Sequence, residues 1–405
     1  MRKIIIVLIP ILLVGCINQR SYNSRYSSEQ IASLHLDSTK IIEAETGSVI
    51  TVDLNPFLSR QSFDFGSLVD EVKLIPLETT DESLIDGIYK ILVTDSNIYI
   101  HDRYKGGGIV IFDREGKFIE RISNGQGPGE LLRLYDIDFD YENNELVAYQ
   151  HSFLLFYSSS GQYLRRERLP FGFYNFLVIP GGYIFKTLDR QDNGHLGDLE
   201  DHTVLITDKD FKLESVALSY PPSDVNYGGY HYLYNNDNSI SITQKFSNTI
   251  HQYMHKTNKI EAKYILDYKK KMLPESYLRG TAQGFENAVD QNDYYYYLGK
   301  YVGTKSHDVF YLCNNYIGLN TIIYRDNVSG NLKGGTAPDF SFMEIPIIAF
   351  PSTSSGDYLV SYYLPHKNDS QLSNSSIISK EDKLKIKDMR DDDNPVLAFF
   401  KLKNF

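Results

Sequence analysis

GIVIFDREGKFIERI, residues 108–122, decides the fold. An apolar run, a short polar turn with Gly116, then an aromatic residue and an alternating strand make a β-hairpin, with glycine where the turn needs a positive φ. The pattern returns as FLLFYSSSGQYLRRERL at 153–169, with Gly161 45 residues after Gly116. VLITDKDFKLESV (204–216) holds Phe211 in that register, 50 residues on, and TIHQYMHKTNKIEAKYIL (249–266) holds Asn258, 47 further. TIIYRDNVSGNLKGG (321–335) turns around Gly330 after a longer gap of 72.

A second hairpin precedes these. KILVTDSNIYIHD (90–102), IDFDYENNELVAYQ (137–150), FLVIPGGYIFKT (176–187), YLYNNDNSISIT (232–243) and IIAFPSTSSGDYLVSYYL (347–364) turn at 95–97, 142–144, 180–182, 235–238 and 354–356. Each unit is then four antiparallel strands, and such units at a period in the forties mark a β-propeller. The patches 274–289 and 377–389 break the period and read as short helices. With 268–292 and 366–394 set aside as insertions, the residues from Val69 onward divide by a spacing of about 47 into six units. The last unit has strands at 347–350, 358–364 and 396–402 but no fourth. The orphan strand Val69–Pro76 is expected to supply it and close the ring, leaving no open sheet edge. The fold class is thus all-β: a six-bladed propeller over 49–405, closed by an N-terminal strand.

The chain starts differently. Arg2 and Lys3 precede an apolar run, Ile4–Val14, that is too short to span a bilayer and fits a secretory signal. Leu13-Val14-Gly15-Cys16 resembles the bacterial lipobox, which implies cleavage after residue 15 and a diacylglyceryl thioether on Cys16. Acyl chains contribute about 0.8 kcal/mol per buried CH₂, so more than one holds a protein on a bilayer stably. Residues 16–48 are polar and Ser-rich at their start and read as a flexible tether. Asp37-Ser38-Thr39 resembles the short O-glycosylation motif of Bacteroidetes envelope proteins. Cys313, in the apolar run VFYLC, reads as a small core residue.

VKLIPLET (72–79), the 108–122 hairpin, Gly125-Gln126-Gly127-Pro128-Gly129-Glu130 and the terminal Asp393-Asn394-Pro395-Val396-Leu397 resemble, together with the leader, the six-bladed β-propeller lipoproteins of Bacteroidetes. The resemblance implies a TolB-like or NHL-like ring and a lipid-anchored place in the cell envelope, facing the periplasm or the cell surface. It implies no particular activity.

Composition narrows the partner. A net charge of −11 argues against nucleic acid, and 32 Tyr and 22 Phe with no Trp suit pleated, half-buried surfaces. In a propeller the A–B and C–D turns share one face, and the B–C and D–A connections share the other. Here the long segments 103–108, 123–135, 188–202, 219–230, 268–292 and 365–394 all fall on the B–C/D–A face, where long loops on a rigid scaffold carry binding residues. Arg103, Tyr104, Glu130, Arg133, His151, Arg190 and His231 are the ligand-binding candidates there, because Arg, His and Tyr supply oriented hydrogen bonds and stacking. His101, Asp102, His195 and His202 lie near the same face.

Other motifs carry less. The 125–130 glycines lack the strand and helix context of a phosphate loop and read as a structural turn. Asp136-x-Asp138-x-Asp140 lacks the Gly and Glu of a calcium loop and reads as solvated or hydrogen-bonding Asp at a strand edge. His251 and His255 straddle a turn, which separates them as zinc ligands. Tyr294–Tyr297 alternates as core packing, two rings to each side. Neither a cofactor nor a metal is expected. Two functions fit: an envelope binding or scaffold propeller engaging a glycan, peptide or partner protein, or a propeller enzyme, a metal-dependent lactonase, hydrolase or lyase, working at the central channel.

Overall fold

In a computed structural model, the chain is described over residues 25–58, 62–104, 107–188, 191–221, 223, 231–236, 239–314, 321–338, 349–365 and 375–405. The leader and Cys16 lie outside these residues. Six antiparallel sheets stand around a central axis. Blade 1 is Ile88–Val93, Asn97–Asp102, Gly108–Asp113 and Phe118–Ile122; blade 2 is Asp136–Asp140, Glu145–Gln150, Phe153–Ser158 and Tyr163–Arg168. Blade 3 is Asn175–Ile179, Gly182–Lys186, His202–Asp208 and Leu213–Ser219; blade 4 is Leu233–Asn236, Ser239–Ile242, Thr249–Met254 and Lys259–Asp267. Blade 5 is Tyr301–Gly303, His307–Leu312, Thr321–Asp326 and Leu332–Gly335. Blade 6 is Thr353–Ser355, Tyr358–Tyr363, Val396–Leu402 and, from the other end of the chain, Val69–Pro76. Strands are lettered A to D outward from the axis, and each A strand contacts the A strands of both neighbours.

Side-chain alternation explains the ring. In blade 1 Ile98, Ile100, Val110 and Phe112 pack toward blade 6, while Tyr99, Ile109 and Ile111 pack toward blade 2. In blade 2 Leu146, Ala148, Leu155 and Tyr157 return that contact, and Val147, Tyr149, Leu154 and Phe156 face blade 3. Middle strands are therefore covered on both faces and read as continuous apolar runs. The outer strand YLRRER (163–168) is exposed throughout. One hydrophobic cluster fills each of the six interfaces between neighbouring blades. Burying a Leu, Ile or Phe side chain contributes about 1.5–3 kcal/mol, so each blade is held by its neighbours.

The turn register and the closure appear as expected. Gly116, Gly161, Phe211, Asn258 and Gly330 all have positive φ, at 86°, 91°, 62°, 50° and 79°. Val69–Pro76 pairs antiparallel with Val396–Leu402, Pro76 opposite Val396 and Val69 opposite Leu402. Helices occupy Ala282–Asn292 and Lys380–Ile386 within the two insertions.

Two expectations are corrected. Blade 6 begins at Thr353–Ser355 rather than at 347–350, of which 347 and 348 lie outside the described residues. Gly356, with φ 55°, makes the turn tight, and Ser355 pairs directly with Tyr358. From residue 25 the stretch expected as a tether is packed. Ser27 caps a short helix, Leu34 is fully buried between blades 2 and 3, and Lys40–Ile42 adds a parallel fifth strand to blade 3. Ile50–Asp53 does the same on blade 4, and Ser62–Phe63 pairs with Ala337–Pro338 beside blade 5. Phe65 then packs against Tyr324 and Phe400. The segment covers the outer edges of blades 3 and 4, which would otherwise offer unpaired backbone to another chain.

The tyrosine run is divided as expected, though it is no ladder strand. Tyr295 and Tyr297 join the cluster between blades 4 and 5, while Tyr294 and Tyr296 pack under the 282–292 helix. Cys313 is fully buried beside that helix, and burial pushes its thiol up to about 12.

Candidate functional site

The mouth of the channel on the long-loop face is built from residues at or just before the first residues of the A strands. Blade 1 brings Tyr89 and Lys90, blade 2 Asp136, blade 3 Tyr174, blade 4 His231 and Tyr232, and blade 5 Lys300. Arg103 enters from the B–C connection of blade 1, its guanidinium 4.8 Å from the centre of the Tyr89 ring. Tyr89 meets His101 edge-on at 4.8 Å and His231 at 5.3 Å. Tyr174 hydrogen-bonds Tyr89 and lies 5.7 Å from Tyr232.

Asp136 is the hub. Its Oδ1 accepts from Lys90 Nζ at 2.8 Å and lies 3.7 Å from His231 Nδ1, and its Oδ2 accepts from Phe176 N at 3.2 Å. Asp138 Oδ2 accepts from Val178 N at 2.7 Å, and Asp140 accepts the turn amides of Glu142 and Asn143. Asp136 and Asp138 thus satisfy amides of blade 3's inner strand, which shares no backbone ladder with blade 2. Of the two roles expected for the DxDxD run, solvated or hydrogen-bonding at a strand edge, only the second holds, because all three carboxylates are buried. Burial pushes the Asp138 carboxyl up to about 7.

The imidazoles of the mouth are neutral at neutral pH. Burial holds His101 down to about 3 and His231 to about 4, with Asp136 opposing the shift in both. Half-buried Lys300 is lowered to about 8 by burial. Among the described residues of the mouth, Lys90, Arg103 and Lys300 stand against the Asp136 carboxylate, an excess of basic groups inside an acidic protein. Among the described residues no group of three His, Cys, Asp or Glu side chains is placed to hold a metal ion.

The residues expected from the sequence separate into groups. Arg103 and His231 meet at the mouth, both against Tyr89. Tyr104 lies beside Arg103 and is 64% exposed. Arg133 and His151 meet instead on Tyr135, at the rim of blade 2, at 5.2 Å and 5.4 Å. Glu130 is used within its own turn, where Oε2 accepts Gly127 N at 2.7 Å. A groove of about 370 Å³ runs beside that turn to Tyr163 and Arg166. Arg190 lies outside the described residues. Tyr89, Lys90, Tyr174 and Lys300 were missed by residue-type reasoning, and Asp136 was read only for a strand-edge role; in blades 1 to 3 the signal was position, at the start of each predicted A strand, whereas no A strand was predicted for blade 5. The short-turn face also has a groove, about 430 Å³ between blades 2 and 3, lined by Glu142, Arg165, Lys209 and Phe211 among others.

Residues 49–401 match the family described as "Domain of unknown function (DUF4934)". The chain belongs to this family. The crystal structure of a putative exported protein from Bacteroides fragilis aligns with this family member at TM-score 0.71 and 18% identity, over 88% of this chain and 100% of that one. It shares the six-bladed fold. A Neurospora crassa WD40 domain (TM-score 0.34, 11% identity, 62% of this chain and 65% of that) aligns too weakly to carry an argument. The same holds for PorZ, a surface component of the Porphyromonas gingivalis type-IX secretion system (TM-score 0.33, 14% identity, 70% and 30%). No curated protein matches. No helix of the described residues is long and apolar enough to cross a membrane.

Proposed function

We propose that the chain is a cell-envelope binding propeller, anchored through acylated Cys16, that captures a glycan, peptide or partner segment at the channel mouth of its long-loop face. The observation that carries this reading is the convergence of Tyr89, Arg103, Tyr174 and His231 from three separate blades on one base-rich surface. Aromatic rings there offer stacking area at little entropic cost, and Arg103 adds oriented donors on a rigid frame. The basic leader, its apolar run and Gly15-Cys16 support the envelope location, as does the exported status given to the Bacteroides fragilis propeller. The TolB-like or NHL-like type belongs to the same proposal.

The test is a glycan and peptide array probed with the soluble Cys16→Ser chain. Tyr89→Ala and Arg103→Ala are expected to weaken capture at least tenfold with an unchanged melting temperature. Changes on the short-turn face at Glu115 or Ser159 should leave capture intact. Capture that survives the mouth variants but is lost in Glu142→Ala or Lys209→Ala would place binding on the opposite face.

A further inference from the structure

Behind Tyr232 lies a pocket between blades 3 and 4, lined by Lys186, Thr187, Tyr220, Gln244 and Lys245. It opens on the long-loop face and shares Tyr232 with the channel mouth. Lys186 is 2% exposed, Lys245 5% and Gln244 7%. Among the described residues the Lys186 amine has no hydrogen bond and no ion pair. That is unusual, because buried charged groups are normally paired and an unpaired one is strongly disfavoured.

The lining is rich in donors, and no described Asp or Glu belongs to it. Gln244 Nε2 reaches Thr203 Oγ1 only at 3.4 Å and the Ser219 carbonyl at 3.5 Å, so its amide is weakly engaged. The Thr187 and Tyr220 hydroxyls bond each other at 2.7 Å. Among the described residues the titratable groups around Lys186 are the basic Lys245 and His251 and the phenols of Tyr220 and Tyr232, and His251 Nδ1 is itself buried without a hydrogen bond. Burial pushes the Lys186 amine far below the ordinary lysine range, and among the described residues no acid opposes that shift.

We infer that this pocket is a carboxylate subsite of the mouth, with Lys186 the buried base that meets the ligand's carboxylate. The inference rests on the proposed binding role and names the chemistry of its ligand. Size supports a carboxylate over a larger anion. The pocket is partly open, and its free volume is about 20 Å³. One water-sized group needs about 10–15 Å³, so the pocket takes one oxygen and at most two, and not the four of a phosphate or sulfate. A carboxylate would supply the missing opposite charge, accept from Lys186 and draw the weakly engaged Gln244 amide toward itself. Tyr232 and Tyr174 would then flank the rest of the ligand on its way to Tyr89.

The test titrates sodium acetate calorimetrically into the Cys16→Ser chain, with ionic strength balanced by sodium chloride. Saturable binding is expected, at least tenfold weaker in Lys186→Met, which keeps the buried stem volume. Glu115→Ala, on the short-turn face, should retain it. Glucuronate and N-acetylglycine then separate an acidic sugar from a peptide C-terminus as the source of the group. Absence of acetate binding, the same isotherm in Lys186→Met, or equally tight binding of inorganic phosphate would overturn the subsite. The two readings fail separately. Acetate binding at Lys186 with array capture indifferent to Tyr89 and Arg103 would remove the proposed function and leave the subsite, and the reverse would remove only the subsite.

Discussion

Acidification should destabilise the ring through His101, and the size of the effect follows from its surroundings. His101 is 2% exposed in strand B of blade 1, and burial, reinforced by His231, Lys90 and Arg103, lowers its pKa to about 3. In the unfolded chain the ring titrates near the ordinary value of about 6.5. Below that pH the unfolded state takes up a proton that the folded state refuses, so stability falls as pH falls. The contribution is complete above about pH 6.5 and declines by about 1.4 kcal/mol per pH unit toward the folded pKa. At pH 5 the accumulated loss from this ring is about 2 kcal/mol. His231 and His251, each lowered to about 4, act in the same direction. Asp138, raised to about 7, acts in the opposite one, stabilising at low pH and losing that contribution as pH rises through its folded value. The comparison therefore uses His101→Phe, which keeps a ring against Tyr89 but cannot titrate. Urea unfolding at pH 7.5 and pH 5 should show the variant gaining about 2 kcal/mol relative to the wild type on acidification. Carbon-13 NMR of the His101 ring should give a midpoint below 4. An unchanged gap between wild type and variant, or a ring titrating near 6.5, would refute the assignment of a desolvated, neutral imidazole.

Four further outcomes are expected. Leu34→Ala should cost about 2–5 kcal/mol in denaturant unfolding, since Leu34 is fully buried, whereas a loose tether would lose nothing. Gly116→Ala should destabilise by more than the ~1–2 kcal/mol of a left-handed alanine, because its Cβ would lie 2.2 Å from the Pro76 carbonyl oxygen of the closing strand; thermal melting reads this out. Deleting 69–76 should expose the edge of Val396–Leu402 and yield aggregates in size-exclusion chromatography; a monomer with unchanged melting would count against the closure. Cys16→Ser should abolish incorporation of labelled palmitate, and label retained by the variant would end the lipobox reading.

Much of the fold was legible because the repeat exposes its physics. Middle strands such as GIVIFD and FLLFYS are apolar on both faces only when another blade stands on each side, and the turns keep one backbone geometry even where Phe211 or Asn258 replaces glycine. The edge-covering segment was harder to see. Lys40–Ile42 and Ile50–Asp53 are short, and Ile41 and Ile50 stay exposed, so a parallel strand laid outside a finished sheet shows little alternation. Val52, Leu54 and Leu58 carried the signal, as an apolar residue recurring through a polar stretch. The site was legible in part. Its face follows from loop length, yet residue type alone favoured exposed Arg and His over Lys90, Asp136 and Tyr174, whose importance comes from where the A strands begin.

That position has a consequence for how the mouth can vary. The inner strands of blades 2 and 3 share no ladder, and their spare amides are taken by side chains, Phe176 N by Asp136 and Val178 N by Asp138. Removing Asp136 therefore does two things: it strands an amide between blades and it leaves Lys90 and His231 without their shared carboxylate. Tyr89, Tyr174 and Arg103 have no such duty in the ladder, since their side chains touch one another and the open mouth. Ligand preference can thus shift through those three without disturbing the ring, while Asp136 couples the fold to the site. An Asp136→Asn change keeps an acceptor for Phe176 N but removes the charge, so a loss of capture with the ring still folded would separate the electrostatic role of this residue from its structural one.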